Sequence, residues 1–293
     1  MFSREKIRQE NDMIRIVSDS TCDLSKEITD KYGIVIVPLY VRLGNEEKKD
    51  GIDITPEEIY KWSDKTGETP KTAAPSVSDY MSVFGENKDD EYIVFTISSS
   101  MSASNNNCRL AAEELEIEDR VKIIDSANLS TGIGLLVMEA VDLVNEGKNL
   151  SDIAEYIEEI KGRVRASFII ETLTFLHRGG RCSGIAALLG NTLKLHPKIV
   201  VEGGAMKPTK KYRGSADKCI MNYVKDMENE LMKAKKDRVF ITHSGCDREK
   251  VEEVRSFLEK LGIFLDIVET RAGSVVSSHC GPGTMGVLFI SES

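Results

Sequence analysis

Apolar residues fall into short β-branched runs separated by longer stretches of helical character. The runs are "MIRIVS" from Met13, "IVIVPLYVRL" from Ile34, "EYIVFTIS" from Glu91 and "RVKIID" from Arg120. Continuous apolar strands alternating with helices predict a parallel sheet covered on both faces. Between them, "TPEEIYKW" predicts a helix with Pro56 at its first position, "PSVSDYMSVF" predicts another, and "STGIGLLVMEAVDLVNEG" reads as a buried helix stopped by Gly147. An amphipathic helix from Ser151 to about Arg163 follows, after which the pattern restarts. The second series is "ASFIIETLTFL", "HPKIVVEGGAMKPTKKYRG", a long helix to about Lys236, "RVFITHSG", a further helix, "IFLDIVET" and "GVLFI". Two short runs around Gly203 and Gly204 predict a hairpin, so the second half mixes antiparallel with parallel pairing. The fold class is α/β in two domains: residues 1–163 on a mostly parallel sheet and 164–293 on a mixed one.

With 293 residues, 41% hydrophobic and 30% charged, the chain has material for two cores. Its 39 basic against 48 acidic residues give a net charge of −9, which argues against a nucleic-acid footprint over the whole surface. The opening "MFSREKIRQEND" lacks the apolar stretch of a signal peptide, and no run approaches the ~20 apolar residues of a membrane span, so a cytoplasmic location is expected. Six cysteines stand singly without a C-x-x-C pair and read as reduced thiols.

Ligands of open α/β sheets gather beyond the carboxyl ends of the strands. There this chain places "SDSTCD", "SSSMSAS" and "DSANLST", with "KTAAPS" before a helix. Neither G-x-G-x-x-G nor G-x-x-x-x-G-K-[ST] occurs, which weakens nucleotide binding. Such hydroxyls also serve as helix caps, each worth about 1 kcal/mol. Several at one sheet edge suit another task, holding a carboxylate taken out of water without burying a second formal charge. For a metal, His243 with Cys246 and His279 with Cys280 are the only candidates, far weaker than a paired C-x-x-C array, and no metal is expected. No G-x-S-x-G elbow occurs, yet a serine with His279 and Asp19 or Asp125 leaves a serine-dependent acyl hydrolase as the alternative from the enzyme class. A ligand-free regulatory binding protein is the third.

Nine segments in order resemble the DegV family of bacterial fatty-acid-binding proteins, which includes the binding subunits of fatty acid kinase. They are "IVSDSTCDLSKEI" at Ile16, "VPLYV" at Val37, "DGIDITPEEIY" at Asp50, "PKTAAPS" at Pro70, "ISSSMSAS" at Ile97, "VKIIDSANLSTGIGLLVMEA" at Val121, "TLTFLHRGGRCS" at Thr172, "KYRG" at Lys211 and "HCGPGTMGVLFI" at His279. The resemblance implies a long-chain fatty acid in a cleft between the two domains, its tail buried and its carboxylate held by hydroxyls. It also implies no cofactor and no catalytic residue, with a separate ATP-dependent kinase as a partner that phosphorylates the bound acid. By motif position Thr72 corresponds to the family's carboxylate-binding threonine, and the partner serine is Ser99 or Ser102. Arg181, Arg213 and His279 fall where family members place residues for head-group or kinase interaction. "GIGLLVMEAV" and "GIAALLGNTLKL" are expected as tail wall, although apolar helix faces are more often ordinary core. The chain departs from the family pattern at Ala73, Ala74, Ala103 and Ser104, which predicts a looser polar shell around the head group.

Overall fold

The computed structural model describes residues 13–86, 89–188 and 195–292. The segment "MFSREKIRQEND" and residues 189–194 of "GIAALLGNTLKL" lie outside the described residues.

The first half runs β1 (Ile14–Asp19), a 3-10 turn (Ser20–Cys22), α1 (Lys26–Tyr32), β2 (Val35–Val37), β3 (Tyr40–Leu43), β4 (Glu46–Lys49) and α2 (Pro56–Thr66). It continues with β5 (Lys71–Ala73), α3 (Val77–Phe84), β6 (Glu91–Thr96), α4 (Ser104–Glu114), β7 (Val121–Asp125), α5 (Thr131–Asn145) and α6 (Leu150–Ile160). Next come β8 (Val164–Ile169), α7 (Leu173–Gly179), β9 (Leu195–Glu202), β10 (Ala205–Arg213), α8 (Ala216–Asp226) and α9 (Glu228–Leu231). The chain then finishes with β11 (Ala234–His243), α10 (Arg248–Leu261), β12 (Asp266–Arg271), α11 (Ser274–Cys280) and β13 (Met285–Ser291).

The described residues form three sheets. The first, ordered β2-β1-β6-β7, is parallel throughout, as its unbroken apolar strands predict. The second, β10-β9-β8-β13-β11-β12, is antiparallel except for the β11–β12 pair, and it contains the expected hairpin, β9 with β10. A small antiparallel sheet, β4-β3-β5, has no counterpart in the hydrophobic pattern. The reason is compositional: β4 is the all-charged "EEKK", and β5 has only three residues. The run "IVIVPLYVRL" is not one strand either. Pro38 has no N–H to give a ladder, so β2 stops at Val37 and the chain re-enters a different sheet at Tyr40.

Helix starts follow their capping chemistry. Thr55 and Glu58 form a capping box ahead of Pro56, and Ser76 with Asp79 forms a second one at α3. The long helix expected to reach Lys236 instead ends at Asp226. A short α9 follows, and the lysine-rich continuation is drawn into β11, where Ala234 lies opposite Ser291. Pairing with β13 there overrides helix propensity.

Helix α5 is central. Every residue from Thr131 to Val141 is buried, because α5 lies between β1 and β6 of one sheet and β8 and β13 of the other. One apolar cluster therefore runs through both halves, joining Phe95 and Ile133 to Phe168, Phe240 and Leu288. Gly134 permits a close approach: a Cβ there would lie 2.9 Å from Leu24 Cδ2 and 3.1 Å from the Cys22 carbonyl. That contact seats the loop after β1 against the helix. A second core, with Tyr223, Val239 and Phe289, fills the space between the six-stranded sheet and α8 and α10.

Candidate functional site

The turn after β6, the end of β5, the turn after α7 and the helix α11 meet around a cavity of about 220 Å³. Its polar residues are Thr72, Ser102, Arg181 and His279. Its apolar walls include Leu39, Ile97, Met101, Leu129, Met206 and Val276. Leu129, Val276 and Cys280 are shared with a narrower space of about 30 Å³ that reaches Phe168 and Leu288. The polar groups are thus at one end and a mostly apolar passage leads inward between the sheets. Helix α5, expected as wall, is core; Leu129, just before it, is what borders the cavity.

Thr72 lies on β5 opposite Val41 of β3, and its Oγ1 is 2.9 Å from His279 Nε2. His279 sits on the last turn of α11, and its Nδ1 is enclosed with no hydrogen-bond partner among the described residues. Gly179 makes room for that ring, since a Cβ there would collide with Nδ1. Burial, aided by the nearby charge of Arg181, pushes the imidazole down to about 4, so it is neutral at physiological pH. A neutral ring carries one proton, and placing it on Nε2 leaves no N–H orphaned. His279 then donates to Thr72 Oγ1, and the Thr72 hydroxyl hydrogen is free to point into the cavity.

The serines of "TISSSMSAS" divide their labour. Buried Ser98 donates from Oγ to the Gly204 carbonyl at 2.7 Å, tying the loop to the β9–β10 hairpin. Ser99 is exposed and does not line the cavity. Its Oγ donates to Asp125 Oδ2 at 2.5 Å and its N–H to Asp125 Oδ1 at 3.2 Å, which ties the loop to the end of β7. Of the two serines left open by the sequence, the structure brings Ser102 to Thr72 and His279, and directs Ser99 away because its hydroxyl is engaged by Asp125. Ser102 Oγ lies 2.9 Å from Ser104 Oγ and accepts the Ser104 N–H at 3.2 Å. Ala103, at the N-cap of α4, supplies no side-chain bond, so Ser102 also serves this helix start. Ala73, Ala74 and Ala103 all border the cavity, placing methyl groups beside Thr72 and Ser102.

Arg181 is exposed at the cavity and donates from Nη1 to the Gly179 carbonyl at 2.8 Å. Arg213 does not line the cavity; it is exposed at the end of β10. Along that strand Lys207 pairs with Glu202 and Lys210 with Asp226, whereas among the described residues Lys211 and Arg213 form no ion pair.

Asp19, at the end of β1, was singled out in the sequence only as a possible triad acid, and in the structure it is a support for the serine loop. Its Oδ2 accepts the Ile97 N–H at 2.8 Å and its Oδ1 accepts from Thr21 Oγ1 at 2.5 Å, fixing the root of the serine loop. Burial raises this carboxyl to about 6. For the hydrolase alternative, Asp19 and Asp125 are both engaged away from His279, whose Nδ1 faces Gly179 rather than a carboxylate. The two His-Cys pairs do not converge: His243 Nδ1 accepts the backbone N–H of Cys246, and His279 faces the cavity. Among the described residues, the group that brings three metal-capable side chains together is Glu139, Asp142 and Asp237, and it is occupied by Lys235 and Arg238.

Comparison with known proteins adds an independent line. The model of the DegV family, described as uncharacterised proteins, matches residues 13–292. A fatty acid-binding protein of Thermotoga maritima is 30% identical over 281 residues, covering 93% of this chain and 96% of its own. A structure described as the fatty acid binding of a DegV family protein from Thermus thermophilus superposes with a TM-score of 0.87 at 31% identity, over 95% of this chain and 99% of that one. A stearic-acid-binding protein from Eubacterium ventriosum superposes with a TM-score of 0.82 at 29% identity, over 96% and 99%.

Proposed function

This chain belongs to the DegV family, and on that premise we propose that it binds one long-chain fatty acid between its halves, 1–163 and 164–293. The observation that carries this reading is the cavity's polarity: Thr72, Ser102 and His279 at one end and apolar walls leading inward from it. A carboxylate at the polar end receives the Thr72 hydroxyl, which His279 leaves free to donate, and the Ser102 hydroxyl beside it. Arg181 at the same end offsets its charge without being buried. The tail passes Leu129 and Val276 towards Phe168 and Leu288, gaining about 0.8 kcal/mol per buried CH₂ less the cost of ordering it. The inner space holds no more than a water or two, so side chains there turn aside as the tail enters.

The bound acid is then presented to a separate kinase. A carboxylate oxygen attacks the terminal phosphorus of ATP and ADP leaves; the kinase supplies the nucleotide site, since this chain has no phosphate-cradling loop. Lys211 and Arg213, unpaired on β10, are the docking charges, and Arg181 lies where the acyl phosphate forms.

Mass spectrometry of an organic extract of the undenatured protein tests the reading. Near one fatty acid per chain is expected. No lipid, together with no uptake of added palmitate or oleate, would sink it, and turnover of acyl esters under those conditions would turn attention to hydrolysis.

A further inference from the structure

Helix α11 carries His279 to Thr72 and also supplies Val275, Val276 and Cys280 to the cavity wall. Whatever holds the start of this helix therefore sets both ends of the site. Its first free amides, Gly273 N–H and Ser274 N–H, belong to the second half of the chain, but both are taken by carboxylates of the first. Gly273 donates to Asp23 Oδ1 at 2.8 Å and Ser274 to Asp50 Oδ1 at 2.7 Å. Each acid is itself fixed: Asp23 Oδ2 accepts from Ser130 Oγ at 2.5 Å, and Asp50 Oδ2 from Ser20 Oγ at 2.8 Å. Ser274 Oγ adds a bond to the Ile54 carbonyl at 3.0 Å.

We propose that Asp23 and Asp50 are positioning residues for the head-group site, holding the start of α11 so that His279 meets Thr72. The inference rests on the fatty-acid reading for its purpose, but the coupling it asserts is readable without ligand. Two features show a built device. Both acids are almost wholly buried, at 5% and 3% exposure, where an unused carboxylate would be costly. They also crowd one glycine, since a Cβ on Gly273 would lie 3.1 Å from Asp23 and 3.3 Å from Asp50. Burial raises both groups, Asp23 to about 8, which lets the pair hold a proton near neutral pH and spares the site two adjacent buried charges.

The test compares wild type with Asp50→Ala, Asp50→Asn and Gly273→Ala. It reads the His279 imidazole by ¹H–¹⁵N NMR in ligand-free protein, and palmitate affinity separately. Asp50→Ala, which leaves the Ser274 N–H without its acceptor, is expected to shift the His279 signals and weaken palmitate binding about tenfold. Asp50→Asn keeps an oxygen for that N–H and is expected to restore both. Gly273→Ala, which removes no acceptor but presses on both acids, is expected to shift the same signals even if Asp50→Ala fails to fold. Unchanged His279 signals in Gly273→Ala or in folded Asp50→Ala would overturn the proposal. A wild type that takes up no palmitate would instead overturn the fatty-acid reading, with the imidazole signals still deciding the coupling.

Discussion

At the scale of single residues, the site turns on which hydroxyl hydrogens are free. Thr72 is released by His279, whereas the Ser99 hydroxyl is occupied by Asp125. Thr72→Val keeps the shape and removes the donor. Retained fatty acid per chain is expected to fall, and equal retention in the variant would remove Thr72 from the clamp. Gly179 gives an independent check, because its missing side chain is what admits the His279 ring. Gly179→Ala forces the ring to move and breaks its bond to Thr72, so a loss of palmitate affinity of about tenfold, roughly 1.4 kcal/mol, is expected by calorimetry. A Gly179→Ala variant that binds as wild type would mean that the ring's position does not matter. These two residues were not equally legible. Thr72 stood out through motif resemblance, but nothing in "HRGGRCS" says that Gly179 lies beneath the imidazole of a residue far along the chain. Spacing in sequence carries no information about that contact.

Elements were legible where local physics decides them. The helix starts of "TPEEIYKW" and "PSVSDYMSVF", which the structure closes with the Thr55–Glu58 and Ser76–Asp79 boxes, and the unbroken apolar runs of β1, β6 and β7 all appear where the sequence predicts them. Elements stabilised by partners rather than by their own pattern were not. The charged β4 exists because β3 offers it a ladder, and β11 begins early because β13 does. The serine loop was legible as a place but not as a division of roles, since its bonds to Gly204 and Asp125 arise only when three segments converge. Strand β10 carries its own prediction. Arg213 is away from the cavity and has no ion pair among the described residues, so Arg213→Ala is expected to leave the bound fatty acid in place and slow its phosphorylation by the proposed kinase. The slowing should diminish at high salt, where steering between unlike charges is screened. Lipid loss in this variant, or unchanged phosphorylation, would remove β10 from the docking surface.

At the scale of the molecule, α5 shares one core with both sheets, so the halves are not free to separate as independent bodies. The titratable groups enclosed where they meet then tie global stability to pH. Asp23 is raised to about 8 when folded, so its contribution is complete below the ordinary carboxylate range and is lost as pH rises through 8. Asp19, raised to about 6, behaves in the same way over a lower window. His279 is the opposite case: lowered from 6.5 to about 4, its contribution is complete above 6.5 and is lost as pH falls through 4. Above about pH 7.5, a full unit past the ordinary histidine value, Asp23 is therefore the main one of the three whose protonation still differs between folded and unfolded chains. Unfolding free energy is expected to decline there, with a slope below about 1.4 kcal/mol per pH unit, the limit for one whole proton. Asp23→Asn imitates the protonated acid: its oxygen accepts the Gly273 N–H and its amide donates to Ser130. Urea unfolding of this variant is accordingly expected to show a flatter pH dependence than wild type. An equal slope in both would mean that the carboxyl beneath α11 is already ionised at neutral pH and that the decline arises elsewhere.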